Sequence, residues 1–232
     1  MTNAHDRHDG RAGSLVAQAL GDALGFLVEG HAPEVCEAYA SEVFSSDDPP
    51  AYRRGPFDFG QYSDDTQLAR ELALSLATAG GFVPEDFSAR VAALFADETI
   101  VGRGQATEEA ARRLIAGIPW DRAGTPSPSA GNGAAMRAGP VGFLRVSQDQ
   151  MIGIADDSAR VTHLDMRARA AAVLVTLVVA DGIGHGPTSG SPAWFGALAC
   201  AVDAQDPGLA SGIRKMPEWL GCDPATVADE IT

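Results

Sequence analysis

The sequence predicts an all-α fold, a compact orthogonal bundle of helices in a single domain. Three observations predict it. Apolar residues recur at three- and four-residue steps in most segments. No stretch shows sustained period-two alternation, and no glycine-rich turn follows a strand-like run. The length, 232 residues, suits one globular domain with a sizeable core.

The elements follow in order. Residues 1–12, within "MTNAHDRHDGRAG", are polar and lack an apolar signal core, so they read as a disordered leader to a domain spanning 13–232. His5 and His8 could bind a metal, but the composition favours a solvated segment. Residues 13–28, "GSLVAQALGDALGFLV", are apolar on most sides and predict a buried helix. Residues 33–43 predict a short helix. The prolines and glycines of 45–62 predict a loop. "DTQLARELALSLATAGG" carries Leu68, Leu72 and Leu76 on one face and is stopped by Gly80 and Gly81. "PEDFSARVAALFADETI" has Pro84 in its first turn, where a missing N–H costs nothing. "TEEAARRLIAGI" follows a glycine-rich turn, and 119–133 reads as loop. Residues 133–146 look helical with a break near Pro140, and so do 147–161. Residues 164–181 predict a long apolar helix, 181–192 a flexible connector and 193–204 a further helix. "CDPATVADEIT" carries a helix-start signal, with Asp223 as cap and Pro224 in the first turn.

Charge and cysteine content limit the function. Thirty-one acidic residues against seventeen Lys and Arg give a net charge of −14, which argues against nucleic acid, whose phosphates need a basic footprint. The three cysteines, Cys36, Cys200 and Cys222, are odd in number and far apart, so neither a disulfide framework nor a zinc ribbon is indicated. A reducing, cytoplasmic location fits. The longest apolar run, "AAAVLVTLVVA", is too short to span a bilayer.

Candidate chemistry gathers in five places. In "QYSDDTQLAREL", Ser63 can cap a helix whose first turn holds Asp64 and Asp65, where carboxylates favour the positive end. The same hydroxyl and carboxylates form a hard oxygen surface suited to Mg²⁺ or Ca²⁺. Asp22 and Glu29 lie seven residues apart, on one helix face. Asp22 sits among apolar neighbours and requires a donor, a metal or a capping role. In "GRGQATEEA", Gly102 and Gly104 precede a helix start, a weak phosphate-cradle pattern. "SAGNGAAMRAGP" offers a second glycine turn, although a plain connector accounts for Asn132 between glycines nearly as well. His163 lies just before a long helix, where a neutral ring suits hydrogen bonding and a satisfied boundary residue is the simpler alternative.

Taken together, "GDALGFLVEG", "YSDDTQLA", "AGNGAAMRAGPVGFL" and "VTHLDMRARAAA" resemble the ADP-ribosylglycohydrolase family in order and approximate spacing, over roughly residues 13–225. The resemblance implies an all-α fold, a binuclear Mg²⁺ site and hydrolysis of the bond joining ADP-ribose to a protein side chain or small molecule. It places Ser63, Asp64 and Asp65 at the metals and makes Glu29 and Asp65 the catalytic candidates. Gly102 and Gly104 fall in the turn approaching the diphosphate. Gly131, Asn132, Gly133 and Met136 line ribose and phosphate, and His163 contacts ligand. The family's later Gly-Gly-Asp-Thr-Asp-Thr motif has no counterpart here. The expectation is therefore a C-terminally incomplete domain, with one metal or none, exposed apolar surface, and self-association or a partner covering the missing part. A non-catalytic ADP-ribose-binding or regulatory protein is the alternative function.

Overall fold

A computed structural model of the chain describes residues 4–48, 52–185, 190–223 and 226–228. Its helices are α1 (Ala4–Gly25), α2 (Pro33–Ser45), α3 (Asp64–Ala79), α4 (Pro84–Ala96), α5 (Gln105–Ile115), α6 (Trp120–Ala123), α7 (Gln148–Arg160), α8 (Met166–His185), α9 (Pro192–Val202) and α10 (Pro207–Trp219). Short 3-10 turns cover Phe26–Val28 and Gly139–Phe143. Among the described residues there is no strand, only isolated bridges joining Arg54 to Phe57 and Thr125 to His163. The fold is the all-α bundle that the periodicity predicts. No helix among these residues is long and apolar enough to cross a membrane.

Local chemistry sets the helix ends. Ser63 caps α3, and Gly80 closes it in the left-handed conformation. Ser147 and Gln150 form a reciprocal capping box on α7, which satisfies two N-terminal donors together. Ser191 accepts from the Trp194 N–H at the start of α9, and Asp206 accepts from Leu209 at the start of α10.

The main core lies where α3, α4, α8, α9 and α10 converge. Leu68 and Leu72 of α3, Phe87 and Val91 of α4, Val173 of α8, Val202 of α9 and Ile213 of α10 are all essentially solvent-free. Burying each such side chain stabilises the fold by roughly 1.5–3 kcal/mol. A smaller cluster of Phe26, Leu27, Val28 and Tyr39 packs beneath the turn that carries Glu29.

Several expectations need correction. The first helix begins at Ala4, so residues 4–12 are helical instead of a disordered leader. A helix once nucleated extends at little cost through polar residues. Residues 1–3 and the side chains of His5 and His8 lie outside the described residues. The same helix is not buried either. Val16 and Leu20 are 59% and 58% exposed, because only one side of α1 meets α3, α8 and the Gly139–Phe143 turn. Residues 133–146 form turns and a 3-10 segment, not a helix. This segment presses so closely on α8 that a Cβ on Gly142 would stand 2.7 Å from the Thr176 carbonyl. The long helix α8 runs on to His185, through the start of the expected connector, and 186–189 lie outside the described residues. Helix α10, which periodicity did not flag, starts at an Asp206–Pro207 signal. The Asp223 carboxylate accepts from Thr226 N–H at 3.4 Å, while Pro224 lies outside the described residues.

Candidate functional site

The site is built on the start of α3, and Asp22 of α1 sets that start. Its Oδ2 accepts from the Ser63 N–H at 2.8 Å, the Thr66 N–H at 3.1 Å and the Thr66 hydroxyl at 2.6 Å. Its Oδ1 accepts from the Ser63 hydroxyl at 2.7 Å. The carboxylate thus satisfies two orphan helix donors from another element and sits at the positive end of the helix. Donors, and not a cation, account for Asp22 among apolar neighbours. Gln18, one turn earlier, donates to the Met136 and Asp65 carbonyls at 2.8 and 3.3 Å. It ties α1, α3 and the 131–136 segment together.

With the helix start fixed, Asp64 and Asp65 project from its first turn. Asp64 is buried, at 6% exposure. Burial, with the Asp65 charge beside it, pushes its carboxyl up to about 7 against opposing backbone hydrogen bonds that include one from Gly104. Asp65 rises to about 6 through burial and the charges of Asp22 and Glu29. No salt bridge to either is found among the described residues. The 102–104 turn closes over Asp64. Gly102 has φ +73°, and a Cβ there would lie 3.0 Å from Phe26, 3.2 Å from Asp64 Oδ1 and 3.2 Å from Ser63 Cβ. Only glycine fits both the backbone and the space.

Glu29 follows the Phe26–Val28 turn and stays largely in solvent. Its Oε2 meets Arg54 Nη1 at 2.6 Å, and the same nitrogen donates to the Phe26 carbonyl at 2.7 Å. The guanidinium also lies 4.6 Å above the Phe26 ring. Arg54 comes from the 45–62 loop and gave no signal in the sequence.

On the opposite wall, His163 is buried just ahead of α8. Burial and the Arg137 charge lower its pKa to about 4, so the ring is neutral at physiological pH. Its Nδ1 is 2.8 Å from the Thr162 hydroxyl. A Cβ on Gly131 would stand 3.7 Å from Nε2, and one on Gly133 would stand 3.0 Å from Cε1 and 2.9 Å from the Thr107 hydroxyl. The glycine turn therefore packs closely beside the histidine ring. Arg137, Thr107 and Thr162 were missed as site residues. Arg137 left one signal, a single charge inside an otherwise apolar run.

Glu29, Asp64, Asp65, Gly102, Gly104, Gly131, Asn132, Gly133, Met136 and His163 all line one cleft of about 230 Å³. Ser63 does not. It joins Asp22, Glu29, Asp65 and Asn132 around an adjoining cleft of about 300 Å³, its hydroxyl hydrogen already given to Asp22. Asp64 and Asp65 have the oxygen chemistry that suits a hard divalent ion, and a cation would relieve the repulsion that burial imposes on them. Glu29 is held by Arg54, and among the described residues no group of three His, Cys, Asp or Glu could hold a metal. These donors fit one ion on two carboxylates completed by water better than they fit two.

The ADP-ribosylglycohydrolase family model matches residues 3–231. An uncharacterized protein of Archaeoglobus fulgidus is 34% identical over 170 residues, 73% of this chain and 54% of its own length. The chain thus spans about half the length of that relative. A solved structure described as an ADP-ribosylglycohydrolase-related protein complex superimposes with a TM-score of 0.63 and 27% identity. That match covers 93% of this chain and 69% of the other.

Proposed function

The chain belongs to the ADP-ribosylglycohydrolase family, and on that premise we propose that it cleaves the bond between C1 of ADP-ribose and an acceptor, with Mg²⁺ held by Asp64 and Asp65. One observation carries this reading. Five stretches distant in sequence converge on one cleft, with buried Asp64 and half-buried Asp65, neither paired with a cation among the described residues, on one wall and a neutral histidine beside a glycine turn on the other. A volume of about 230 Å³ lies below the range of a site that encloses a drug-sized ligand. It fits the ribose and adjoining phosphate, with the rest of the nucleotide along the surface.

Each residue has a task in this reading. A bound divalent ion would supply Lewis-acid polarisation of ribose hydroxyls and water. Asp64 and Asp65 orient those oxygens at the anomeric carbon. Glu29, solvent-exposed at the rim, takes a proton from the attacking water or returns one to the departing acceptor. The His163 Nε2–H and the backbone of 131–133 hold the ribose and phosphate oxygens, and Gly102 and Gly104 keep Asp64 in place while bordering the diphosphate path. The acceptor is an ADP-ribosylated protein side chain, with arginine and serine the leading candidates, or a small molecule. The direct test supplies Mg²⁺ and arginine- or serine-linked ADP-ribosyl protein and measures free ADP-ribose. Release that stops with EDTA is expected. No release from either acceptor overturns the hydrolase reading.

A second reading is favoured by the sparse donor set around Asp64 and Asp65. In it the protein binds ADP-ribose without turning it over, as a regulatory or sensing module. Calorimetry separates the two: binding that Mg²⁺ leaves unchanged, with no hydrolysis, selects the second.

A further inference from the structure

Arg137 has no exposed surface, and no carboxylate forms a salt bridge with it among the described residues. Burial lowers its pKa to about 9, opposed by the field of Asp64. A guanidinium in such a place is costly, and an apolar side chain of similar volume would pack there at lower cost. The bonds it makes explain its presence. Nη1 donates to the Gly133 carbonyl at 2.7 Å, and Nη2 donates to the Ser158 carbonyl at 2.9 Å and the Thr162 hydroxyl at 2.7 Å. Its face lies 5.4 Å from the Phe87 ring. Gly133 belongs to the glycine turn of the cleft, and Thr162 precedes the histidine packed beside that turn.

The Thr162 hydroxyl completes a chain. It accepts from Arg137, which can only donate, and among the described residues its one other bonded partner is His163 Nδ1, 2.8 Å away, the acceptor within reach of its own hydrogen. A neutral ring that accepts at Nδ1 carries its hydrogen on Nε2. That nitrogen is the one beside Gly131. We propose that Arg137, acting through the Thr162 hydroxyl, is a positioning residue that fixes His163 as the Nε2–H tautomer aimed into the cleft. Through the Gly133 carbonyl the same guanidinium ties the glycine turn to the histidine beside it. Arg137 itself touches no substrate.

The test uses the full chain labelled with ¹⁵N-histidine, with His163→Gln to assign the resonance. Two-bond ¹H–¹⁵N spectra of the wild type are expected to show His163 as a single Nε2–H tautomer. Thr162→Val removes the hydroxyl and is expected to give the Nδ1–H form or a mixture. Thr162→Ser restores the hydroxyl and is expected to restore the wild-type spectrum. If Thr162→Val does not fold, Thr162→Ala takes its place. ADP-ribose affinity, read by calorimetry, is expected to fall on the order of tenfold in Thr162→Val and to return in Thr162→Ser. An unchanged tautomer in the hydroxyl-free variant overturns the proposal. The affinity arm rests on the ADP-ribose reading above, and the spectroscopic arm does not. A wild type that binds no ADP-ribose therefore sinks that reading alone.

Discussion

Asp156 lies between α7 and α8 with Arg169 gripping both of its oxygens at 2.8 and 2.5 Å and Gln205 donating at 2.8 Å. Asp64 and Asp65 lie at the start of α3 with each other, Asp22 and Glu29 as their charged company, and with no arginine bonded to them. Both regions take carboxylates out of water. In the first, the cation and amide that compensate burial come from the chain itself. In the second they are absent, and burial pushes the pair up to about 7 and about 6. A fold tolerates such a deficit when an external group completes the site. On the proposed function, the difference separates an acid that supports the bundle from acids arranged for a ligand.

Neutralising one acid in each region gives the sharpest test. Asp64→Asn is expected to lower hydrolysis by about 10²–10³-fold, the usual scale for losing a main electrostatic contact to the reacting group. The same variant is expected to be more stable than wild type in EDTA at pH 8, by on the order of 2–4 kcal/mol. The Asp64 pKa is raised in the fold from 3.8 to about 7, so its favourable contribution is present below 3.8 and is lost as pH rises through 7. Chemical denaturation at pH 8 and at pH 4 checks this, because the gap closes at pH 4. Mg²⁺ should raise the melting temperature of wild type at pH 8 and leave Asp64→Asn nearly unmoved. Asp156→Asn should do the reverse. It leaves the half-buried Arg169 without its carboxylate and costs about 2–4 kcal/mol at pH 8, with no metal-dependent effect.

Acid titration adds a second contrast. The His163 pKa falls in the fold from 6.5 to about 4, so its contribution is complete above 6.5 and is lost as pH drops toward 4. The contributions of Asp64 and Asp65 change in the opposite direction over that range. The wild type should therefore show a shallow pH dependence between 4 and 6.5. His163→Gln should lose about 2–3 kcal/mol more than wild type as pH rises across that window. Parallel curves would show that burial does not hold the ring neutral. Gly102→Ala comes next in size, at about 1–3 kcal/mol, since its methyl meets Phe26, Asp64 and Ser63 at a positive φ. Activity should fall with stability here, because the displaced atom is Asp64 Oδ1.

Much of this was legible from residues alone. The periodic leucines of α3, the cap at Ser63 and the stop at Gly80 announce their helix directly. The acidic pair and the two glycine turns are local patterns, and they converge on one cleft. Other features were not readable because they are relations between distant residues. Asp22 looked like an isolated buried charge, and its four donors come from a helix start more than forty residues away. Arg137 lies in 133–146, a stretch whose pattern predicts a helix, yet its hydrogen bonds to distant residues hold turns there instead. The exposed face of α1 misled for a similar reason. Apolar periodicity reports the capacity to be covered, and what covers it is decided elsewhere.

The smallest effect belongs to the third kind of acid, the exposed one. Glu29 and Arg54 meet at 2.6 Å, with side chains 62% and 37% exposed. An ion pair so open to water contributes about 1 kcal/mol or less. Glu29→Gln should therefore barely change the denaturation midpoint, while Arg54→Ala should cost more, because it also removes the bond to the Phe26 carbonyl and the contact with its ring. A double-mutant cycle between the two reads the pair energy directly. A coupling above about 2 kcal/mol would mean that Glu29 is fixed as firmly as Asp156. A small coupling leaves it free to swing over the cleft, where its effect should fall on kcat and not on folding.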